Sequence, residues 1–265
     1  IDIIKKLDVF NYHRLSINLL KKNGYLLNES FGAMELFKIV PDNSSVLSEY
    51  LTSTDIKKLL DYNEYLKNLK FDELEKSEEE YYRILNEKLI SNKVITFNGL
   101  LLFAYELLKK QPIKNYYQQY YKMIIIDEWQ DTNYLAYRLI TQLIGDGNKI
   151  ILMGDDVQKI YGFLGAIPNL FSYMAEKFTM EEIQFETNHR FSNNEKMMKL
   201  DQYVRDIFVN YDKIENFKGK ATINFRLFND TDKEAAFIVK HIQGKIEEFN
   251  TVSILVRAGY PPVLA

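Results

Sequence analysis

Two short apolar runs stop abruptly at acidic residues, and the rest of the chain is organised around them. Met123–Ile126 (MIII) ends at Asp127-Glu128, and residues 150–153 (IILM) end at Gly154-Asp155-Asp156. Neither run alternates with polar residues, which predicts strands buried on both faces of a parallel sheet. Between them Tyr134, Tyr137, Ile140 and Ile144 recur at helical spacing over residues 133–144. A strand, a helix and a second strand in that order make a parallel crossover. Ligands of such sheets bind beyond the carboxyl ends of the strands, where both acidic clusters fall.

The flanking pattern is mostly helical. Residues 7–10 read as a short strand leading into a helix that carries Leu15, Leu19 and Leu20 and stops near Gly24. Residues 31–92 are helical and charged, interrupted at Pro41-Asp42, and 72–80 (DELEKSEEE) hold six acidic residues against one Lys. That run predicts a solvated helix face or a flexible hairpin between helices. Thr96 is placed to cap a helix over 97–110 that ends before Pro112. Tyr116, Tyr117, Tyr120 and Tyr121 then either pack a helix against the sheet, the favoured reading, or form a stacking platform for bases. Further on, the pattern predicts a helix over 171–178, a strand over 182–186 and a helix over 193–211. A strand over 219–228, a helix opened by a capping box at Thr231 and Glu234, and a buried strand over 251–257 complete it. The domain junction is expected between 178 and 182.

Composition narrows the setting. At 265 residues, 46% of them hydrophobic, the chain has enough material for one large or two modest cores. The absence of cysteine excludes disulfides and thiolate zinc sites and points to a reducing compartment. No apolar run is long enough to span a membrane and no signal peptide opens the chain, so a soluble, cytoplasmic protein without a membrane partner is expected. The net charge of −3 gives no overall attraction to nucleic acid, so any DNA contact must come from a local groove.

The two strand ends suggest specific chemistry. Of two adjacent carboxylates, one can hold a hydrated Mg²⁺ while the other orients and deprotonates an attacking water; Mg²⁺ on substrate phosphates takes only one or two protein carboxylates. Gln158, just past the second strand, offers a neutral amide to a terminal phosphate. Acidic residues also end strands with no function, but here the pair is followed by WQDTN and then by GDDVQKIYGFLGA. None of the eleven glycines belongs to a G-x-x-x-x-G-K-[ST] phosphate loop. A carboxylate pair without that loop cannot hold a nucleotide in the usual way, so the chain is expected to be an excerpt of a longer protein.

With these residues in view, the chain resembles the UvrD/Rep-type superfamily-one DNA helicases. Residues 127–133 (DEWQDTN) are similar to their DExQDTN motif, 154–161 (GDDVQKIY) to GDxxQxIY, and 187–192 (TNHRFS) to NYRS. More weakly, 11–16 (NYHRLS) resemble the TFHxL segment, and ITFNGLLLFA resembles DFDDLL with Asn98 and Gly99 where acidic residues are usual. The resemblance implies an α/β fold. It would comprise a parallel-sheet RecA-like motor domain 1A (residues 1–30 and 93–180), a small helical 1B insertion (31–92) and the start of a second RecA-like domain, 2A (181–265).

It also implies ATP and Mg²⁺ as cofactors. Asp127 would bind the metal, with Asp155 also on the cofactor side; Glu128 would activate water and Gln158 would sense the γ-phosphate. Arg190 would reach across a domain cleft to the phosphoryl group, and His189, where the family has Tyr, would stack on the nucleotide base. Tyr161 and Phe163 would stack on bases of single-stranded DNA, and His13 would touch the DNA backbone. Single-stranded DNA or DNA junctions are the implied partners, with roles in repair, recombination or defence. Leu164 stands where the family commonly has an Arg that links the nucleotide and DNA sites. That change motivates an alternative: a non-processive ATPase or DNA-sensing subunit of a larger complex, for example an anti-phage one, with a protein partner. A second alternative is a naturally short module that only binds.

Overall fold

The structure, a computed structural model, describes residues 7–159, 165–185, 187–209 and 226–244. It forms a helix-rich α/β fold with two compact units, one through Gln184 and one from Phe185 onward. In the first unit, Asn11 caps α1 (Tyr12–Asn23) by accepting the Arg14 N–H at 2.8 Å, and the helix ends at Gly24 as its pattern predicts. Residues 7–10 form no strand. β1 (Lys38–Val40), absent from the sequence reading, lies inside the stretch expected to be helical. Its three residues are too few to show a period. A single turn, α2 (Ser44–Leu47), leads to α3 (Ser53–Lys67), capped by Thr52, and then to α4 (Phe71–Ile84).

β2 (Val94–Thr96) pairs in parallel with β1. Thr96 caps α5 (Phe97–Leu108) through a 3.0 Å bond from the Gly99 N–H, as expected. Leu100, Leu101, Leu102, Phe103, Ala104, Leu107 and Leu108 are all buried, so α5 is apolar on nearly every side and forms the core's axis. It packs against α1 on one side and α7 (Tyr134–Leu143) on the other. α6 (Gln111–Tyr120) carries Pro112 in its first turn, where no N–H donor is needed. Its tyrosines divide: Tyr117 is buried and Tyr121 half-buried, whereas Tyr116 and Tyr120 stay exposed and stack on each other.

β3 (Met123–Ile126) and β4 (Lys149–Leu152) form the second parallel pair, in register from Met123↔Lys149 to Ile126↔Leu152, with α7 as the crossover. The expectation of burial on both faces is corrected. Ile126 is buried and Ile124, Ile150 and Leu152 are half-buried, but Ile125 is 54% and Ile151 42% exposed. Helices cover one face of this two-stranded pair; among the described residues the other face is open.

The acidic run lies on a helix face that is largely solvated, one of its two expected readings, with Asp72, Glu73, Glu75 and Glu79 exposed; Glu78 departs from it. Residues 72–80 lie within the regular helix α4, joined to α3 by the short turn at Asn68, Leu69 and Lys70. Tyr62 and Tyr81 stack between the two helices with centroids 4.0 Å apart. Glu78 turns inward, accepting the Tyr62 hydroxyl at 2.8 Å and both terminal nitrogens of Arg138 on α7, Nη2 at 2.8 Å. The Arg138 guanidinium lies 4.0 Å from the Tyr105 ring centre. Asp42 gathers a second polar knot, accepting the Asn98 N–H at 3.1 Å, the Tyr81 hydroxyl at 3.2 Å and the Asn63 amide at 3.4 Å.

α8 (Leu170–Phe178) closes the helical part of this unit. Residues 182–185, at the junction of the two units, and residues 226–228 of the second unit form no strand, contrary to expectation. α9 (Glu195–Val209) and α10 (Thr231–Gln243) fall where helices are predicted. Asp230, not Thr231, caps α10, accepting the Lys233 N–H at 2.8 Å. Most of the strand expected over 219–228, and all of that over 251–257, lie outside the described residues.

Burial opposes the charge on Glu78, but the bonds from Arg138 and Tyr62 outweigh it and hold its carboxyl below the usual range. The resulting stability is fully present above the usual carboxylate pKa and is lost as pH falls through the lower folded value. Glu78→Ala strands a half-buried guanidinium and is expected to cost about 2–3 kcal/mol, read as a lowered urea midpoint. Its acid unfolding should also begin from a flatter pH–stability profile than wild type.

Candidate nucleotide site at the ends of two parallel strands

The ladder between β3 and β4 continues past the strands. Met153 donates its N–H to Ile126 O at 2.8 Å, and Trp129 donates its N–H to Met153 O at 2.9 Å. These bonds fix the two acidic clusters side by side. Asp127 and Glu128 both stand exposed at the end of β3. Glu128 has φ 51° and ψ 41°, the left-handed region that a non-glycine residue rarely occupies. The turn is held because Trp129 is fully buried behind it and Asp131 donates its N–H to Glu128 O at 3.0 Å. Such held strain is common at functional sites.

The sequence alone assigns Gln130 no role, yet it joins the two clusters. It is 1% exposed; its Nε2 donates to Glu128 Oε2 at 2.6 Å, while its Oε1 accepts the Asp155 N–H at 3.1 Å. Asp155 in turn accepts the Val157 N–H at 3.0 Å and the Gln158 side-chain amide at 2.9 Å. The signal in the sequence was a polar side chain inside a motif between buried neighbours, and spacing alone does not show which way such a side chain points. Gly154 is required by this contact: an added Cβ would lie 2.0 Å from Gln130 Oε1 and 3.1 Å from the Trp129 N.

The structure thus brings together Asp127, Glu128, Asp155 and Gln158. Tyr12 links the first helix to the same motif through a 2.8 Å bond with the Thr132 hydroxyl. Burial pushes the Tyr12 phenol up to about 12, against the opposing effect of that bond. His13 is half-buried, edge-on to the Phe97 ring at 5.3 Å, and burial lowers its pKa against the pull of Asp42. Tyr161, Phe163 and Leu164 lie outside the described residues. Beyond them, Gly165 (φ 82°) sits where a Cβ would be 2.6 Å from Leu66 O, and Ala166 bridges Asn133. His189 and Arg190 are exposed in a turn of the second unit, where Asn188 accepts the Phe191 N–H and donates to Asp201.

Residues 2–179 match the UvrD/REP helicase N-terminal domain. The chain belongs to the UvrD/REP helicase family. It is 34% identical over 174 residues to DNA helicase II of Haemophilus influenzae, covering 63% of this chain and 23% of that protein. It is 27% identical over 289 aligned positions to the ATP-dependent DNA helicase Rep of Buchnera aphidicola, covering 97% of this chain and 42% of that protein. The Schizosaccharomyces pombe ATP-dependent DNA helicase srs2 is 31% identical over 68% of the chain. The chain therefore spans well under half the length of these relatives. No helix among the described residues is long and apolar enough to cross a membrane.

Gly154→Ala is expected to push the Gln130 amide out of its place and lower the stability of the first unit by about 1–3 kcal/mol. Urea denaturation followed through the buried Trp129 measures this.

Proposed function

We propose that the intact protein is an ATP-dependent DNA helicase or translocase acting on single-stranded DNA, and that this chain carries one part of its motor. Residues 1–30 and 93–180 would be domain 1A, residues 31–92 a reduced 1B insertion and residues 181–265 the start of 2A. The observation that carries the reading is the pairing of β3 with β4, which sets Asp127-Glu128 beside Asp155 and Gln158. The helicase names of its relatives support it.

The donor set fits Mg²⁺ on a nucleotide. Asp127 is exposed, with Oδ1 already accepting the Glu128 N–H at 3.0 Å. Among the described residues no cluster of three or more His, Cys, Asp or Glu closes around an ion. One or two carboxylates, with the phosphates and waters completing the shell, is the coordination Mg²⁺ favours in such sites. When bound, the metal would neutralise charge on the phosphates. Asp127, with Asp155 nearby, would hold it, Glu128 would take a proton from the attacking water, and Gln158 would contact the terminal phosphate. His189 and Arg190 are assigned to the base and to the transferred phosphoryl charge by family resemblance, as are Tyr161, Phe163 and His13 to DNA.

In the intact protein, Glu128→Gln is expected to lower ATP hydrolysis by about 10²–10⁴-fold while ATP still binds. Normal turnover in that variant would remove Glu128 as general base. Leu164 in place of the family's Arg favours a second reading, a partner-controlled ATPase that does not unwind. Strong stimulation of hydrolysis by single-stranded DNA is the result expected of a coupled motor; indifference to DNA supports the second reading.

A further inference from the structure

Building on the role proposed for Glu128, we infer that Gln130 is the positioning residue that sets the direction of the Glu128 carboxylate and ties it to Asp155 and Gln158. The amide has no freedom of assignment. The Asp155 backbone N–H is a donor only, so the atom 3.1 Å from it must be the Gln130 oxygen. The Gln130 nitrogen therefore faces Glu128 Oε2 at 2.6 Å, and that carboxylate must be the acceptor. One oxygen of the exposed Glu128 carboxylate is thus held by the buried amide.

Both ends of the buried amide are satisfied in this arrangement. Gln130 is enclosed, the missing side chain at Gly154 leaves the space its Oε1 fills, and Trp129 holds the adjoining backbone by donating to Met153 O. A continuous path of hydrogen bonds results, from Gln158 Nε2 to Asp155, from the Asp155 N–H to Gln130, and from Gln130 to Glu128. A shift of Gln158 on meeting a phosphate thus bears on the carboxylate that would activate water. Asn in place of Gln is one methylene short and cannot span both partners.

Two variants in the intact protein separate the two bonds. Gln130→Glu keeps an acceptor for the Asp155 N–H but sets a carboxyl against Glu128. Gln130→Met, similar in length, removes both bonds. Hydrogen exchange of the peptide containing Asp155 should stay protected in Gln130→Glu and exchange at least about tenfold faster in Gln130→Met. In both variants kcat should fall by about 10–100-fold, while nucleotide affinity stays within about twofold of wild type. A purely structural residue would instead lose affinity and global protection together. If Gln130→Glu does not fold, Gln130→Met carries the test by the same split between kcat and affinity. Wild-type turnover in a folded Gln130→Met protein, with Glu128→Gln inactive beside it, would overturn the positioning role alone. Normal turnover in Glu128→Gln would instead overturn the assignment of the base on which the inference rests.

Discussion

The site depends on one parallel ladder. β3 and β4 pair for only four residues each, yet the pairing continues through Met153 and Trp129 into the turns that hold the carboxylates. A parallel pair cannot be closed by a hairpin and needs a crossover, which α7 supplies. The capping of α7 by Asn133, whose Oδ1 accepts the Ala136 N–H at 2.9 Å, fixes where the acidic turn must end. Strand, turn and helix are thus set by a few short contacts, and the exposed carboxylates inherit their position from buried neighbours.

The same crossover helix is held from the other side. Arg138 leaves α7 to meet Glu78 on α4 between aromatic rings, so the hairpin of α3 and α4 is clamped to the helix that follows the acidic motif. At the far end of α3, the Leu66 carbonyl lies against Gly165, two positions after Phe163 in the sequence. A Cβ at Gly165 would both clash with that carbonyl and require a backbone shape that costs other residues about 1 kcal/mol or more. The region between the first helix and the acidic motif therefore braces the site at two points. It is more than a solvated appendage.

What the sequence made legible follows from what period and capping can encode. The helix at α5 was readable because Thr96, a dense apolar run and Pro112 mark its start, face and end. The crossover was readable because two apolar runs flank a helical period. The inward turn of Glu78 was not readable, since its partner lies 60 positions away on another helix. Nor was the open face of β3 and β4: a run of isoleucines looks the same whether one face is covered or two. β1 was too short to show any alternation. The capping error at α10 has a simple cause, because Asp230 and Thr231 are both good caps and differ by one position.

The site itself divides along the same line. Asp127, Glu128, Asp155 and Gln158 were legible because motif spacing places them at strand ends, and strand ends are where a parallel sheet presents ligands' partners. Gln130 was hidden because its importance lies in orientation. A glutamine offers a donor and an acceptor a little over 2 Å apart, and only the fold shows that a backbone N–H claims one and a carboxylate the other. That claim also accounts for Gly154, whose missing side chain leaves the space the amide oxygen fills. The acids at the two strand ends and the buried amide between them are joined by hydrogen bonds, and that linkage carries the proposed site.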